Sequence, residues 1–286
     1  MKRFFLVGMT VFCLIFRAGA QPDNSYVYQG EFGIMGGASQ YFGDLNPDVH
    51  FNTPKIVLGL FFRKQVTDYI AVRLEGQFSR LGYSDVYNTQ NAFDLRRNLS
   101  FNTNVWQLGL QGDFNFFRFI PGDGDHRSTP YLTIGIGMFN FDPYAYLDGQ
   151  KYYLRGLGTE GQAAGYEGRK PYNNIAAFIP LGLGYKYNLN PKMNIGIEVV
   201  YNFTTTDYLD DVSKTYAGIS NFPTGPPPDN DPTPASLLQD RSYETGTPPI
   251  GIQGRQRGYS NQNDSYLYLE IMFSFNISSY RCPTAK

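Results

Sequence analysis

Apolar and polar residues alternate along residues 69–83, which read YIAVRLEGQFSRLGY. Ile70, Val72 and Leu74 stand on one side of the alternation, and Arg73 and Glu75 stand on the other. Because successive side chains of a β-strand point to opposite faces, the segment predicts a strand with one apolar and one charged face. A soluble sandwich would turn the apolar face to a core, whereas a membrane barrel would turn it to lipid and keep the charges inside.

Eight segments share this period-two pattern, and no comparable amphipathic helix pattern accompanies them. Pro180 falls inside the sixth segment, where proline removes a hydrogen bond of the ladder, so it predicts a strand start or a bulge at that point. The predicted strands are residues 28–42, 55–64, 69–83, 104–117, 131–141, 177–188, 193–203 and 266–277.

The connections between these segments alternate between long and short, and the last one, about 204–262, is the longest. A meander of this kind collects its long loops at one end and its short turns at the other, as outer-membrane barrels do. Structureless loops beyond ~15 residues are uncommon in compact soluble domains. We therefore predict an all-β fold, namely an eight-stranded antiparallel up-and-down transmembrane β-barrel with long outer loops and short periplasmic turns. An even number of strands places both termini in the periplasm.

The N-terminus has the pattern of an export signal. Lys2 and Arg3 precede an apolar run from Phe4 to Phe16, and Ala18-Gly19-Ala20 supplies the small residues of a cleavage site. The run is shorter than the ~20 residues that a spanning helix needs. We predict a signal peptide at residues 1–20 and an outer-membrane barrel domain at residues 21–286, with a signal anchor as the alternative.

Composition narrows the partners of the predicted barrel. Without the signal, 21 basic and 25 acidic residues remain, and this formal charge of −4 gives no basic footprint for nucleic acid. Cys282 is then the only cysteine, so it cannot form an intramolecular disulfide, although it could bridge to a partner. The 23 Tyr, 23 Phe and 31 Gly residues suit a barrel with aromatic girdles, and outer-membrane lipid is its expected surrounding.

Charged residues on the polar faces of the predicted strands are the first candidate site. Eight strands enclose a lumen that side chains can fill. Because unpaired charges there would be costly and both signs are present, we predict a paired, buried network; a narrow water path and a proton or ion relay are the alternatives. The predicted members are Glu31, Arg73, Glu75, Asp113, Lys186, Glu198 and Glu270.

The pattern predicts no catalytic group and no cofactor. Successive connections lie at alternate ends of the predicted barrel, so His50 in the first connection and His126 in the fourth lie at opposite ends. The two histidines therefore cannot share one catalytic site with a nucleophile. Asp207, Asp210 and Asp211 are weak candidates for binding a hard cation such as calcium.

A structural interpretation of the same carboxylates is that Asp210 and Asp211 cap a short helix that begins near Val212. Tyr208 and Tyr216 are then expected to pack this loop over the barrel mouth.

Two segments are candidate contacts for a periplasmic partner: the turn from Arg118 to Arg127, which mixes apolar and charged residues, and the C-terminal tail. In the third long loop, Tyr144, Tyr152 and Tyr153 predict either an adhesive surface or an aromatic belt beside a flexible loop. The predicted partner contacts are Phe119, Ile120, Asp123, Asp125, Arg127, Arg281 and Cys282.

Several stretches carry a family resemblance, above all TDYLDDVS at 206–213 and then Gln256-Arg257-Gly258. With RKPYNNIAAFIPLGLGYKY and the tail YRCP, they resemble the PorG-like outer-membrane β-barrels of the type IX secretion system, the DUF6089 family. The resemblance runs from GEFGIMGGASQYFGDLN to Cys282, and the proline-rich NFPTGPPPDNDPTPASLL departs from it.

The resemblance implies a non-enzymatic component of a protein-export machine of the Bacteroidota. Such a barrel would tether a periplasmic ring, built from a lipoprotein and its partner, to the outer membrane. The alternative functions are a free-standing structural or adhesive barrel and a narrow pore.

Overall fold

A computed structural model of the chain describes residues 26–225 and 231–280. The predicted signal peptide and the tail residues Arg281 and Cys282 lie outside these ranges. Within them, no helix is long and apolar enough to cross a membrane. The helices are α1 (Ala92–Arg97), α2 (Leu154–Leu157) and α3 (Pro234–Gln239). The strands are β1 (Tyr26–Phe42), β2 (Lys55–Gln65), β3 (Ile70–Ser84), β4 (Ser100–Asn115), β5 (Ser128–Asn140), β6 (Tyr144–Leu147), β7 (Gln150–Tyr153), β8 (Ile175–Asn190), β9 (Met193–Thr204) and β10 (Ser265–Tyr280).

Eight long strands close into an antiparallel barrel. Consecutive long strands pair with each other, with β5 pairing to β8 across the third long loop. Pairing of β1 with β10, from Tyr26 opposite Tyr280 to Phe42 opposite Ser265, completes the ring. Closure gives each long strand a partner on both sides, which is what a sheet inside a bilayer requires. The predicted eight-stranded barrel is confirmed, and each predicted strand boundary lies within four residues of the observed one.

The alternation in the sequence becomes an alternation of burial. In β3, Arg73 and Glu75 are buried in the lumen, whereas Val72 and Leu74 are exposed on the outside. The same pattern repeats around the ring and produces a continuous exposed apolar band, as transmembrane barrels present to acyl chains. Its members include Phe32, Ile34, Leu58, Leu60, Leu108, Leu110, Ile134, Ile136, Leu183, Ile197, Leu269 and Ile271.

Pro180 lies inside β8 rather than at its start. The β5–β8 ladder pairs Leu181 with Ile134 and resumes with Phe178 opposite Gly137, without a change of register. The positions between them are unpaired on that side, whereas Pro180 is opposite Asn202 of β9. The missing proline N–H thus causes a local gap in one ladder and neither a strand start nor a bulge.

The connections sort to the two ends of the barrel. The turn end carries residues 66–69, 116–127 and 191–192, together with the start of β1 and the finish of β10. The loop end carries residues 43–54, 85–99, 141–174, 205–225 and 231–264. These four loops pack over the barrel mouth as a cap with an apolar core, to which each loop contributes a buried leucine: Leu45, Leu99, Leu154, and Leu209 with Leu238.

The third long loop is folded. Its strands β6 and β7 form a hairpin, and Tyr144 of β6 pairs with Asn102 of β4. The hairpin therefore continues the barrel wall at the loop end, past the exposed apolar band. Ala145 and Leu147 join the core of the cap. Tyr144, Tyr152 and Tyr153 therefore lie on a regular hairpin.

The exposed band predicts how the barrel responds to a charge. Leu110, half exposed in the middle of β4, would face acyl chains, so Leu110→Arg should lower the free energy of unfolding by ~2–4 kcal/mol in lipid vesicles. Denaturant titration of the vesicle-bound barrel measures this change. Leu95→Arg in α1, also exposed but at the loop end, is the control and should change stability by less than ~0.5 kcal/mol. Equal effects of the two substitutions would contradict a lipid-facing band.

Candidate functional site in the lumen and at its two ends

Arg73 occupies the centre of the lumen and is completely buried. Its two terminal nitrogens each donate a hydrogen bond of 2.8 Å to the carboxylate of Glu198. Its Nε lies 3.4 Å from Glu75, and Nη2 lies 3.8 Å from Asp113 and also donates to Gln111. One guanidinium therefore faces three carboxylates that come from three different strands.

Arg63 forms a second centre beside the first. It forms an ion pair with Glu31, and its Nε lies 2.6 Å from Asp113, so Asp113 is shared between the two arginines. Glu31 also accepts hydrogen bonds from Ser274, at 2.5 Å, and from Asn194. Arg63 is absent from the predicted network, although its place on the polar face of β2 was a sufficient signal to include it.

Lys186 closes the lumen towards the turn end. No described side chain accepts a hydrogen bond from its ammonium, which lies 4.6 Å from the ring centre of Phe119 and 5.3 Å from that of Tyr131. Phe119 is almost completely buried, so its ring covers Lys186 and stabilises the cation through its π-face. Phe119 was expected to contact a partner, and this burial makes its ring unavailable for that purpose.

Neutral side chains dominate the lumen towards the loop end. Glu270 accepts hydrogen bonds of 3.2 Å from the amide of Gln77. Gln107 in turn donates to Gln77 and accepts from the hydroxyls of Tyr266 and Tyr268 at 2.9 Å. All seven predicted lumen residues are buried. Four of them lie around Arg63 and Arg73, which is itself the fifth, while Lys186 and Glu270 lie towards opposite ends.

Arg257, from the Gln256-Arg257-Gly258 motif, organises the cap. Its Nη1 lies 3.2 Å from Glu160 of the third long loop and donates to the carbonyl of Asp211 at 2.6 Å, while Nε donates to the carbonyl of Gln239. A buried ion pair thus joins the third long loop to two parts of the fourth.

Arg97 connects the remaining loops. Its guanidinium makes two bonds, of 2.7 and 2.8 Å, to the carboxylate of Asp85. It also donates to the carbonyls of Arg257, at 2.7 Å, and Asp44, at 3.0 Å. Because these partners come from the first, second and fourth long loops, the cap is one interlocked body.

Asp207, Asp210 and Asp211 do not converge on one point. The hydroxyl of Tyr41 lies 2.5 Å from Asp210 and 2.9 Å from Asp264, whereas Asp211 accepts from Thr159 and from Tyr172. Within residues 26–225 and 231–280, no group of three or more His, Cys, Asp or Glu side chains is arranged to hold a metal ion.

The helix predicted near Val212 does not form. The carboxylate of Asp210 accepts a hydrogen bond from the Val212 N–H at 2.8 Å, as a cap would. Asp211 adopts a left-handed backbone with φ 67°, and residues 212–214 after it are not helical. Tyr216 is fully buried and Tyr208 stacks on Tyr172 at 4.5 Å between ring centres, so both pack within the cap.

Residues 116–127 present polar and apolar groups at the turn end. Arg118 pairs with Asp68 of the neighbouring turn at 2.7 Å, and Asp123 lies 2.9 Å from the ring of His126. Of the predicted contact residues, Asp125 and Arg127 are exposed, while Ile120 and Asp123 are half-buried. Phe117, which sequence reasoning missed, is 63% exposed. His50 lies in the first long loop, at the other end of the barrel.

The central arginine can be tested by substitution. Arg73→Met leaves Glu75, Asp113 and Glu198 around an uncharged side chain, so we expect the free energy of unfolding to fall by ~3–5 kcal/mol. Adding Glu198→Gln should recover part of that loss in the same denaturant titration. Arg80→Met, at an exposed position of the same strand, is the control and should cost less than ~1 kcal/mol. A similar cost for both arginines would show that the lumen is wet.

The cap should loosen as the pH rises. Burial raises the pKa of Asp211 to about 7, and burial together with the charge of Asp207 raises the pKa of Asp264. A carboxyl whose folded pKa is raised stabilises the fold below its unfolded pKa of ~4 and loses that contribution as the pH rises through the folded value. We expect hydrogen-exchange protection factors of residues 205–225 to fall about tenfold from pH 5 to pH 8.

Two controls accompany this measurement. Asp211→Asn keeps a side chain that tolerates the left-handed backbone, and it should flatten the pH dependence of the cap. Protection in the middle of β3 and β4 should stay constant over the same range. Greater protection of residues 205–225 at pH 8 would contradict the sign of the shifts.

Comparison with solved structures finds small outer-membrane barrels. The chain is similar to the N-terminal β-barrel domain of Pseudomonas aeruginosa OprF at 11% identity, with a TM-score of 0.35 over 88% of this chain and 100% of that one. It is similar to Neisserial surface protein A (NspA) at 8% identity, with a TM-score of 0.41 over 87% of this chain and 97% of that one. It is also similar to the attachment invasion locus protein Ail of Yersinia pestis, solved with the heparin analogue sucrose octasulfate. The identity is 10%, and the TM-score is 0.39 over 87% of this chain and 99% of that one.

Sequence comparison identifies the family. Among curated proteins, none matches the chain. The family described as "Domain of unknown function (DUF6089)" matches residues 5–226, which include β1 to β9 and all but the last part of the cap. The chain belongs to the DUF6089 family.

Proposed function

We propose that this protein is a non-enzymatic barrel of the bacterial outer membrane that anchors a periplasmic ring complex of the type IX secretion machinery. Its surroundings would be outer-membrane lipid, and its partners would be the ring lipoprotein and the protein bound to that lipoprotein. Membership of the DUF6089 family, together with the resemblance of the TDYLDDVS and QRG motifs to PorG-like barrels, supports this machinery. The turn end then faces the periplasm, with both chain termini.

The filled lumen is the observation that carries the anchoring function. Arg73 and Arg63 with their carboxylates occupy its middle, and Phe119 covers Lys186 at the turn end. A lumen filled in this way offers no route for an exported protein and disfavours a narrow pore. The barrel therefore acts through its surfaces, as a fixed point in the membrane to which other components attach.

Residues 116–127 are the surface that we assign to the ring lipoprotein. Asp125 and Arg127 are exposed, and Phe117 of the same turn exposes an apolar ring. The Arg118–Asp68 ion pair and a 3.3 Å hydrogen bond from the Phe119 N–H to the Asp68 carbonyl connect this turn to its neighbour. The tail residues Arg281 and Cys282, which follow β10, remain candidates for the same interface.

A second candidate function is a free-standing structural or adhesive barrel that acts through its outer loops. The observation that favours it is the folded cap, in which Arg257 and Arg97 join all four long loops. A rigid outer surface suits recognition of an external ligand, because little conformational entropy is lost on binding.

Charge reversal in the turn separates the two functions. The variant Asp125→Arg with Arg127→Glu should lower the amount of ring lipoprotein that co-purifies with the solubilised barrel by about tenfold, because exposed interface charges are inverted. The same variant should reduce secreted cargo in the culture supernatant. Lys170→Glu, an exposed charge reversal at the loop end, is the matched control and should leave both measurements unchanged.

A gel comparison of boiled and unboiled samples verifies that each variant folds. If deletion of the gene leaves secretion intact and wild-type barrel purifies without ring lipoprotein, the export function is wrong. The free-standing barrel would then be the better assignment.

A further inference from the structure

The outer wall of the barrel continues into the β6–β7 hairpin. Asn102 of β4 is opposite Tyr144 of β6, and residues that oppose each other in a sheet share a face. Asn102 also shares its face with Trp106, four residues along β4, and Trp106 is 62% exposed in the apolar band. The outward face of the hairpin is thus a direct extension of the lipid-facing wall.

Burial assigns the two faces of the hairpin. Ala145 and Leu147 pack into the core of the cap, and Tyr152 packs against that core. The opposite face carries aromatic rings and one cation, Lys151, and its two most exposed rings are Tyr146, at 50%, and Tyr153, at 49%. This outward face consists of Tyr144, Tyr146, Lys151 and Tyr153.

The cation on this face is held in a fixed position. The Lys151 ammonium lies 3.7 Å from the ring centre of Tyr144 and 4.5 Å from that of Tyr153, and it donates a 3.0 Å hydrogen bond to the Tyr153 hydroxyl. Because two rings and one hydroxyl restrain the side chain while leaving it exposed, its charge is presented outwards at little entropic cost. Arg80 of β3, exposed opposite Asn104, adds a second positive charge between the hairpin and the apolar band.

The height of the hairpin distinguishes between kinds of lipid. Outward-facing apolar residues run from Phe116 to Trp106, and the next outward positions are Asn104 and Asn102, so Trp106 lies at the loop-end edge of the apolar band. Four residues of strand beyond Trp106 span roughly 13 Å. At a strand tilt of ~40° this is about 10 Å along the barrel axis. A phospholipid head-group layer is only ~5–7 Å thick on each side of the bilayer. The hairpin face therefore stands above phospholipid head groups, at the level that the sugars and phosphates of a glycolipid would reach.

We propose that the outward face of the β6–β7 hairpin binds the phosphorylated sugar head group of a glycolipid in the outer leaflet. Lys151 contacts a phosphate, and Tyr146 and Tyr153 cover the apolar faces of the sugar rings. The continuity of this face with the lipid-facing wall supports a lipid as the ligand, and the positive charge of the face supports a phosphate on its head group. The inference rests on the outer-membrane location and orientation in the proposed function, and it is independent of any part in secretion.

Native mass spectrometry of the full mature barrel in detergent tests the proposal. The probes are a rough lipopolysaccharide with phosphorylated inner-core sugars, the same glycolipid after dephosphorylation, and phosphatidylglycerol. We expect the phosphorylated glycolipid to bind tightest, and Lys151→Ala to weaken it about tenfold through loss of one charge-assisted contact. Lys151→Arg should retain binding, and Tyr146→Ala with Tyr153→Ala should weaken it. Lys170→Ala, an exposed lysine of the same loop, is the matched control and should bind as the wild type does.

Equal binding of phosphatidylglycerol, or unchanged binding by Lys151→Ala, would overturn the proposal. Displacement of the glycolipid by millimolar inorganic phosphate would identify a simple anion site and would also overturn it. Because the binding is measured without ring lipoprotein, a loss of glycolipid binding leaves the anchoring function untouched, and a failure of anchoring leaves this site untouched.

Discussion

The buried ion pairs of Arg73 are the interaction on which the rest of this structure depends. Strands with one apolar and one charged face can enter a bilayer only if the charged faces meet one another, since a charge that faces hydrocarbon costs several kcal/mol. Arg73 meets this condition by contacting Glu198, Glu75 and Asp113 at the centre of the ring. The same contacts fill the lumen, so the charge compensation that permits insertion also removes a transport path.

Because the lumen is filled, only the surfaces of the barrel are available for binding other molecules. At the turn end, Phe119 folds back over Lys186 and leaves Phe117, Asp125 and Arg127 exposed. At the loop end, Arg257 and Arg97 join the loops into a rigid cap. The outward wall adds a third surface, where the hairpin continues the sheet above the apolar band. The proposed anchoring, the alternative external recognition and the proposed glycolipid binding would therefore use three separate surfaces of one small barrel.

The membrane-spanning part of this fold could be predicted from the sequence because its signal is local. Apolar and polar residues alternate with a period of two, as in Val72, Arg73 and Leu74, and this pattern predicts which side chains are buried. The alternating lengths of the connections predict the topology. The burial of Glu31 and Glu198 followed from the same pattern. Arg63 was on the predicted polar face, and only its pairing with Glu31 and Asp113 required the structure.

The cap and the turn could not be predicted in the same way, because their contacts join distant parts of the chain. Arg257 meets Glu160 across 97 residues, and no periodicity records that pairing. A local cap signal suggested a helix near Val212, but the chain is not helical there, and the N–H groups of Ser213 and Lys214 donate to the distant carboxylate of Glu160. Phe119 looked like an exposed turn residue until the fold placed Lys186 beneath it.

Spin labels placed one by one along residues 106–111 of β4, with Cys282 replaced by Ser, test the central claim most directly. In a reconstituted bilayer, labels at the even positions, from Trp106 to Leu110, should collide with dissolved oxygen and not with a water-soluble nickel complex. Labels at the odd positions, such as Gln111, should be shielded from both reagents. Access of the nickel complex to the odd positions would mean an open lumen, and its access to the even positions would mean that the apolar band does not face lipid.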